Sequence, residues 1–501
     1  MPVKDRYFML PQGSISRRPR VGISFIPLLF PGKPENKYYF MKEDFLMRKR
    51  LSLLGLVMAF VMVFSVGVSA SWNQYQGSET HTGRITGTAP LISQLGTLGT
   101  ANCTEVSLNA SGNGWSGVDT APVMYDASVT SGSETATKTL AYVVYNGVGN
   151  GARVACYDCS SPASSFWDIQ LNSGSTFQLS TPYIDEANNT LYVASSGNIY
   201  KISNINTTSP GMDVIFSGAN GQINTPITKH DNYIYFGSWV GNGTIEGSTL
   251  PGKYYQVDVT DGTSKYIYSY SKGFYWAGAI SVTANGTDYI VFGGDNGYLY
   301  YVNEDTGFVT ADTIVAPYYN LSALGNVTAG NVRSSISSDG TYLYFTSQGG
   351  YLWRVPIADI GTASPSVSKV ALGGTSTSTP AISGKNLIYV GYYNGFSNGG
   401  VQAVSKSSFT SAATVCSGEG YPVQSSIAVY TTGISPVDYV YFTTNYTKGA
   451  GYCYKYNGTS GTKMWQTAQN DASTYTLQGM AACSGYLTFG NDYNTFYIIN
   501  K

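Results

Sequence analysis

Charged side chains are scarce in this sequence of 501 residues, where Asp, Glu, Lys and Arg make up 11% of the total. An average soluble protein carries about a quarter. Glycine (58) and tyrosine (43) are abundant instead, together with many Ser, Thr and Asn residues. This composition disfavours a helical bundle and predicts a β-rich chain with a neutral polar surface. Hydrophobic residues, at 43%, suffice for a sizeable core, so disorder is not expected.

Basic charge is lacking beyond the N-terminal part of the chain. Residues 1–70 hold 11 Lys and Arg and 4 Asp and Glu, which leaves 17 basic and 25 acidic residues in 71–501. A surface that binds nucleic acid needs an excess of the opposite sign. Nucleic acid is therefore not an expected partner.

Histidine is nearly absent, since only His81 and His230 occur. A zinc site or a hydrolytic triad would have to include one of them. His230 lies in a turn-like stretch, Lys229-His230-Asp231-Asn232, and structural roles are expected for both histidines. Acidic turns such as residues 258–262 and 303–307 match no EF-hand loop and are interpreted as β-turns. We therefore predict no catalytic, cofactor-binding or metal-binding residue.

One apolar run is long enough to span a membrane. Residues 51–70 are uncharged, follow the basic stretch Met47-Arg48-Lys49-Arg50 and end in Val68-Ser69-Ala70. This pattern predicts a signal peptide over 47–70, cleaved after Ala70, with a retained anchor as the alternative. Residues 1–46 are predicted to be a non-native or disordered extension. The mature chain, residues 71–501, is expected outside the cell or at its surface and not integral to the membrane.

Six cysteines follow the predicted cleavage point, and an even number in an exported chain favours disulfides. Cys156 and Cys159 are the one pair that can be proposed, because two residues separate them. A redox motif or half of a metal site is the alternative. Ten Asn-x-Ser/Thr sequons are candidates for N-glycosylation. They are Asn102, Asn109, Asn188, Asn206, Asn242, Asn285, Asn320, Asn326, Asn445 and Asn457.

A unit of 43 to 56 residues recurs eight times in the mature chain. Its most visible part is a β-hairpin, as in TLYVASSGNIYKIS from Thr190 and TYLYFTSQGGYLWRVP from Thr341. Glycine suits the turn, while Tyr, Val and Ile suit half-buried strands. The eight hairpins are centred at Tyr142, Tyr192, Tyr235, Val291, Tyr344, Tyr389, Tyr441 and Thr488.

A short strand of small residues precedes each hairpin, as in TPYID from Thr181 and TPAIS from Thr379, and a fourth strand follows several hairpins. Four antiparallel strands per repeat predict an all-β fold, an eight-bladed β-propeller with small residues around its axis. The last repeat reaches Lys501 after three strands. Residues 90–96 are therefore predicted to supply its fourth strand and close the ring. Two four-bladed halves or an open array are the alternatives.

The fourth strand of the seventh repeat carries Gly461 and Trp465, and that of the first carries, more loosely, Pro162 and Trp167. These strands resemble the tryptophan-docking repeats of the pyrroloquinoline-quinone-like β-propellers. The mature start, SWNQYQG over residues 71–77 with a following His-Thr-Gly, is similar to the opening of that group, including exported archaeal members. The resemblance covers about residues 71–501 and implies the same fold.

Quinone enzymes of that group hold their cofactor with an adjacent Cys-Cys disulfide, a tryptophan floor, and Glu, Asn and Asp around calcium. This sequence has no adjacent cysteine pair. The resemblance therefore transfers no cofactor site to the chain, and we expect no cofactor.

Tyrosine in excess suggests a contact surface, because it offers large rigid area at low entropic cost. The runs Tyr318-Tyr319, Tyr392-Tyr393 and Phe274-Tyr275-Trp276 lie near predicted loops, and packing between blades is the alternative role. The leading hypothesis is a secreted, glycosylated, non-catalytic propeller that binds a cell-surface protein or carbohydrate. Self-assembly of copies into a sheath or surface layer comes second. A quinone-dependent dehydrogenase or a carbohydrate-active enzyme comes third.

Overall fold

The computed structural model describes most of the mature chain. The described ranges are 71–93, 96–98, 102–108, 117–147, 151–173, 178–240, 252–268, 273–310, 316–416, 422–433, 437–445, 450–468, 475–493 and 495–500. The predicted extension and signal peptide within residues 1–70 lie outside them, as do the sequons Asn109 and Asn242. No helix in these ranges has the length and apolar character needed to cross a membrane.

Eight sheets, numbered here blades 1 to 8, make up the fold. Within each blade the strands are antiparallel and pair in order, from an inner strand at the axis, through the two hairpin strands, to an outer strand. The chain is an eight-bladed β-propeller of four-stranded blades, as predicted. Thin sheets of this kind bury both faces only by packing on their neighbours.

The first four blades follow one another along the chain. Blade 1 comprises Val123–Ser131, Glu134–Gly147, Gly151–Asp158 and Trp167–Asn172; blade 2 comprises Tyr183–Asp185, Thr190–Ser195, Asn198–Ser203 and Gly211–Phe216; blade 3 comprises Thr228–His230, Tyr233–Trp239, Lys253–Asp258 and Ser264–Tyr268, with Gln222–Ile223 beside its second strand; blade 4 comprises Ile280–Ala284, Thr287–Gly293, Tyr298–Asn303 and Tyr318–Asn320.

The remaining blades continue to the end of the chain. Blade 5 comprises Ser337–Ser338, Tyr342–Ser347, Tyr351–Pro356 and Ser368–Ala371; blade 6 comprises Ala381–Ile382, Leu387–Asn394, Asn398–Ser405 and Thr410–Cys416; blade 7 comprises Ala428–Thr431, Asp438–Thr443, Gly451–Tyr456 and Gly461–Gln466; blade 8 comprises Ala481–Cys483, Tyr486–Gly490, Thr495–Ile499 and Cys103–Ser107. The helices are short: Tyr75–Gly77, Glu186–Asn188 and Ile357–Asp359 are 3-10 turns, and Leu321–Gly325 is α-helical.

The outer strand of blade 8 comes from the beginning of the described chain. Cys103–Ser107 runs antiparallel to Thr495–Ile499, with Cys103 opposite Ile499. The prediction that residues 90–96 supply this strand is wrong. Gly96–Thr97 instead pairs in parallel with the outer strand of blade 7, and the Leu91 carbonyl accepts a hydrogen bond from the Trp465 indole at 2.8 Å.

The core lies between the blades. The side chains of Tyr142 in blade 1 and Leu191 in blade 2 belong to one buried cluster, and equivalent clusters follow around the ring. Two buried tryptophans of outer strands dock on the next element through their indole N–H groups. Trp167 donates to Ile205 O at 2.9 Å, and Trp465 donates to Leu91 O. Both tryptophans that carry the sequence resemblance therefore have the docking role.

Candidate functional site

Eight small or compact residues, one per blade, form an inner ring around the propeller axis. In each inner strand, one residue pairs with the hairpin centre, and the ring residue lies two positions before it in the sequence. Their backbones and hydroxyls bond between neighbouring blades: Gly278 N donates to Ser335 Oγ at 3.0 Å, and Ser335 N donates to Thr379 Oγ1 at 3.0 Å. A Cβ on Gly278 would lie 2.5 Å from Ser335 Oγ, so the crowding excludes larger side chains. The ring is Ala121, Thr181, Pro226, Gly278, Ser335, Thr379, Ser426 and Gly479.

Residues 71–85, the axial segment, fill the channel below this ring. The segment accepts backbone hydrogen bonds from inner strands of several blades, including Ile184 N to Asn73 O at 2.7 Å and Val429 N to Gly83 O at 2.8 Å. The Tyr75 hydroxyl reaches the inner ring and bonds Thr379 and Ser426. Trp72, Gln74, Tyr75, Gln76 and His81 are all buried.

The two glycines of the mature-start motif serve this segment. A Cβ on Gly77, at φ +73°, would lie 2.6 Å from the Trp72 ring. A Cβ on Gly83, at φ +60°, would lie 2.5 Å from Ile427 O. Close packing and positive φ therefore both require glycine at these positions. The mature-start motif, which resembles the opening of the propeller group, therefore specifies how the axial segment packs in the channel.

The residues that lie four positions before the same inner-strand residue form a second ring, the mouth ring. Side chains from three blades, Leu179, Trp276 and Leu477, meet in one buried apolar cluster. The cluster caps the channel at the end opposite the axial segment. The mouth ring is Asp119, Leu179, Asn224, Trp276, Arg333, Thr377, Gln424 and Leu477.

A polar and aromatic cluster adjoins the mouth ring. Arg333 binds Asp295 through two hydrogen bonds, of 2.8 and 2.7 Å, and its guanidinium lies 4.6 Å from the centre of the Tyr275 ring. Trp239 donates to Asp295 at 3.1 Å and meets Tyr275 edge to face at 5.0 Å. Burial alone would lower the pKa of Arg333, but the hydrogen bonds and charge of Asp295 outweigh it and raise that pKa. The charge is thus retained and the aromatic rings are held in fixed orientations.

The predicted tyrosine runs divide between surface and core. Tyr275 and Tyr393 are half-buried, and Gln348 donates to the Tyr393 hydroxyl at 3.3 Å. Tyr318 is 37% exposed and stacks on Tyr298 at 4.2 Å. Phe274, Trp276, Tyr319 and Tyr392 are buried and pack the core.

Three of the six exposed large apolar side chains of the described residues lie at the end of the propeller that carries the mouth ring, named here the loop face. Its loops join second to third strands and outer to inner strands. Leu324 (41% exposed), Phe396 (66%) and Tyr493 (46%) lie on these loops in three different blade connections. Large apolar groups at loop tips gain from burial against a partner. The loop face is therefore the candidate binding surface.

The opposite end carries a small cleft of about 120 Å³ between blades 3 and 4, lined in part by Glu79, His230 and Thr283. His230 Nδ1 lies 2.9 Å from Glu304 Oε1, and the Tyr235 hydroxyl donates to the same oxygen at 2.6 Å. Both His230 and Glu304 were expected in turns between strands. The structure instead brings them together across two blades, and Glu304 is 7% exposed. No sequence signal in the turn around Glu304 distinguishes it from the exposed acidic turns.

The cysteines do not form the predicted disulfide. All six are free and buried. Cys156 packs in the cluster between blades 1 and 2, whereas Cys159 packs in the cluster that contains blade 8 residues. Cys156 and Cys159 therefore lie on opposite sides of blade 1. Their short spacing in the sequence does not bring them together.

Burial also excludes one sequon. Asn445 is 1% exposed, its amide nitrogen donates to Gln424 Oε1, and its oxygen accepts from Thr476 N at 2.8 Å. The folded protein has no room for a glycan there. Among the other described sequons, Asn188, Asn285, Asn326 and Asn457 are exposed, and Asn102, Asn206 and Asn320 are half-buried. Their glycosylation stays a prediction.

Among the described residues, no group of three or more His, Cys, Asp or Glu side chains is placed to hold a metal ion. The described residues also do not fit a quinone site of the kind found in the enzymes of the resembling group. The cysteines lie in clusters between blades, and Leu179, Trp276 and Leu477 close the channel mouth.

No protein-family model matches the sequence, and no curated protein matches it. Solved structures do match. The quinohemoprotein alcohol dehydrogenase ADHIIG from Pseudomonas putida HK5 aligns with a TM-score of 0.52 and 12% identity, over 86% of this chain and 80% of that chain. Saccharomyces cerevisiae Sqt1 aligns with a TM-score of 0.52 and 11% identity, over 79% and 99%. BamB from Moraxella catarrhalis aligns with a TM-score of 0.48 and 10% identity, over 80% and 97%. At this identity the likeness extends to the propeller fold alone.

Proposed function

We propose that this protein is an exported, non-catalytic binding protein that presents its loop face to a protein or carbohydrate at the cell surface. The observation that carries the proposal is the exposure of Leu324, Phe396 and Tyr493 on that face, beside the ordered aromatic rings of Tyr275 and Trp239. Aromatic and aliphatic groups of this kind are typical anchors of interfaces.

The filled channel supports a binding role over a catalytic one. Cofactors and substrates bind in concave pockets, whereas here Tyr75 occupies the axis from one side and the cluster of Leu179, Trp276 and Leu477 occupies it from the other. The proposal that the protein is exported rests on the basic stretch at residues 47–50 and the apolar run at 51–70. The sequence resemblance favours a protein similar to the exported archaeal members of the pyrroloquinoline-quinone-like β-propellers.

A triple variant tests the loop face. Leu324→Ser, Phe396→Ser and Tyr493→Ser together remove its exposed apolar groups without touching the core. The mature protein is titrated onto cells that lack it and onto a glycan array. We expect the variant to lose at least about tenfold in apparent affinity, with an unchanged thermal midpoint. The matched control, Met212→Ser with Val214→Ser on the outer strand of blade 2, should bind as the parent does. Equal binding by all three proteins contradicts the proposal.

Self-assembly is the second candidate, and one observation favours it. The outer strand Gly211–Phe216 of blade 2 exposes Met212 (38%) and Val214 (56%) at a sheet edge, and an apolar edge can add another strand. Sedimentation velocity over a wide concentration range measures this directly. Larger species that disappear in the Met212→Ser, Val214→Ser variant would favour assembly over loop-face binding.

A further inference from the structure

The junction between blades 8 and 1 places two buried aspartates close together at the channel mouth. Asp119 belongs to the mouth ring, and Asp492 lies in the turn after the second strand of blade 8. They are 1% and 0% exposed. Their loops touch through the backbone, since Val118 N donates to Asn491 O at 2.8 Å. A Cβ on Gly117 would lie 2.7 Å from Asp492 Cα.

The two carboxyl groups differ in what they bind. Asp492 Oδ1 accepts a hydrogen bond from Tyr475 N at 2.7 Å. Asp119 Oδ1 is buried and has no hydrogen-bond partner among the described residues. A buried polar atom left in this state costs about 1–3 kcal/mol, and more when it is charged. Burial and the charge of Asp492 also raise the pKa of Asp119 well above its usual range.

Elsewhere in the mouth ring, the one basic side chain is already paired, and one more side-chain oxygen has no partner among the described residues. Asn224, which has the position of Asp119 in blade 3, is 1% exposed and also leaves its side-chain oxygen without a partner in the described chain. Arg333, the basic member of the mouth ring, is engaged by Asp295 at 2.7 and 2.8 Å. A small hard cation satisfies unpartnered oxygens of this kind.

We propose that Asp119 and Asp492 hold a calcium ion that ties the last blade to the first. Calcium accepts carboxylate, amide and main-chain oxygens together with water, so two carboxylates and neutral oxygens can complete its shell. The ion would neutralise the buried pair where strands from the two ends of the chain share a blade. This inference is independent of what the loop face binds.

Terbium luminescence on the full mature protein tests the site, because Tb³⁺ replaces Ca²⁺ and is excited through nearby aromatic rings. Tyr275 lies near Asp119: burial raises the pKa of the tyrosine hydroxyl most, Arg333 lowers it, and the charge of Asp119 raises it further. We expect saturable emission that Ca²⁺ displaces, and a thermal midpoint that rises by a few degrees in Ca²⁺ relative to EDTA. Asp119→Asn should lower the Tb³⁺ affinity at least about tenfold, while Asp213→Asn, an exposed carboxylate in blade 2, should not.

Two outcomes would overturn the proposal. One is a thermal midpoint that is identical in Ca²⁺ and EDTA, with no emission sensitive to Asp119→Asn. The other is an Asp119→Asn variant that is more stable than the parent by the same amount with and without Ca²⁺. That result would mean that the two aspartates share a proton instead of a metal ion. Circular dichroism of each variant confirms that it is folded before the metal measurements.

Discussion

The two histidines of this chain occupy opposite electrostatic settings. His81 is buried in the axial segment, and burial lowers its pKa to about 4 although its Nδ1 lies 2.9 Å from Ile336 O. His230 is partly exposed. Burial alone would lower its pKa, but the hydrogen bond and charge of Glu304, with Asp231 and Asp288 nearby, outweigh it and raise the pKa above 6.5. The fold therefore favours neutral His81 and charged His230.

We predict that these residues give opposite pH dependences of stability. The His230 contribution is fully present below pH 6.5 and is lost as pH rises through its raised folded pKa. The His81 contribution is present above pH 6.5 and is lost as pH falls from 6.5 towards 4, because only the unfolded chain then binds the proton. Denaturant titrations from pH 4.5 to 9 measure both effects. His230→Gln should remove the alkaline loss and keep the acid one.

A profile for His230→Gln that matches the parent above pH 6.5 would show that Glu304 does not stabilise the imidazolium. Glu304→Gln serves as the second arm, since it keeps the shape and removes the charge. It should abolish the same alkaline loss.

Tyr75→Phe is predicted to destabilise the propeller by about 1–2 kcal/mol. The hydroxyl is buried and bonds both Thr379 and Ser426 of the inner ring, so its removal leaves those hydroxyls with one partner fewer. Urea unfolding measures the change. Tyr318→Phe, at a position that is 37% exposed, is the matched control and should stay within about 0.5 kcal/mol. Equal effects of the two variants would contradict a structural role for the axial segment.

At the residue scale, the sequence predicted roles that a local motif encodes, and it missed or mispredicted roles that depend on contacts made in the folded structure. The docking roles of Trp465 and Trp167 follow from the motif. The pairing of Cys156 with Cys159 fails because spacing does not give the strand face. The sequence did not identify Asp119 as a candidate site residue, because its neighbour Asp492 lies far along the chain. Burial of Asn445 likewise depends on contacts with Thr476, in another blade connection.

At the scale of elements, periodic hairpins were sufficient to locate all eight blades. Each predicted centre, from Tyr142 to Thr488, lies in a second strand. The small-residue segments became inner strands because the inner ring is crowded, as a Cβ on Gly278 would lie 2.5 Å from Ser335 Oγ. The length and the alternating pattern of residues 90–96 did not identify the strand that completes blade 8. Residues 90–93 provide the carbonyl to which Trp465 docks, and the partner strand begins only at Cys103.

Trp465→Phe is predicted to cost about 2–4 kcal/mol, from a lost hydrogen bond to Leu91 O and a smaller ring in a fully buried site. Trp465 is 0% exposed. Thermal and denaturant unfolding measure the loss. Trp167→Phe removes an equivalent bond, to Ile205 O, and should cost a similar amount. If both variants unfold at the same midpoint as the parent protein, the prediction that tryptophan docking stabilises the blades is wrong.

The whole molecule depends on blade 8, in which two strands far apart in the sequence share a sheet. In blades 1 to 7 the outer strand follows the third strand along the chain, so the chain itself links the two strands. In blade 8, Cys103–Ser107 is held to Thr495–Ile499 by strand pairing across nearly the whole chain. Loss of this pairing opens the ring and exposes edges on two blades.

We therefore predict that Thr104→Pro with Glu105→Pro destabilises the protein far more than the same pair of changes in another outer strand. Adjacent residues of an antiparallel strand alternate in bonding direction, so two consecutive prolines must remove a ladder N–H. The expected cost is at least about 2 kcal/mol. Hydrogen exchange should rise in blades 8 and 1 first. The control, Asp213→Pro with Val214→Pro in blade 2, should raise exchange only in that blade. Equal global destabilisation by both pairs would mean that blade 8 holds the ring no more than any other blade does.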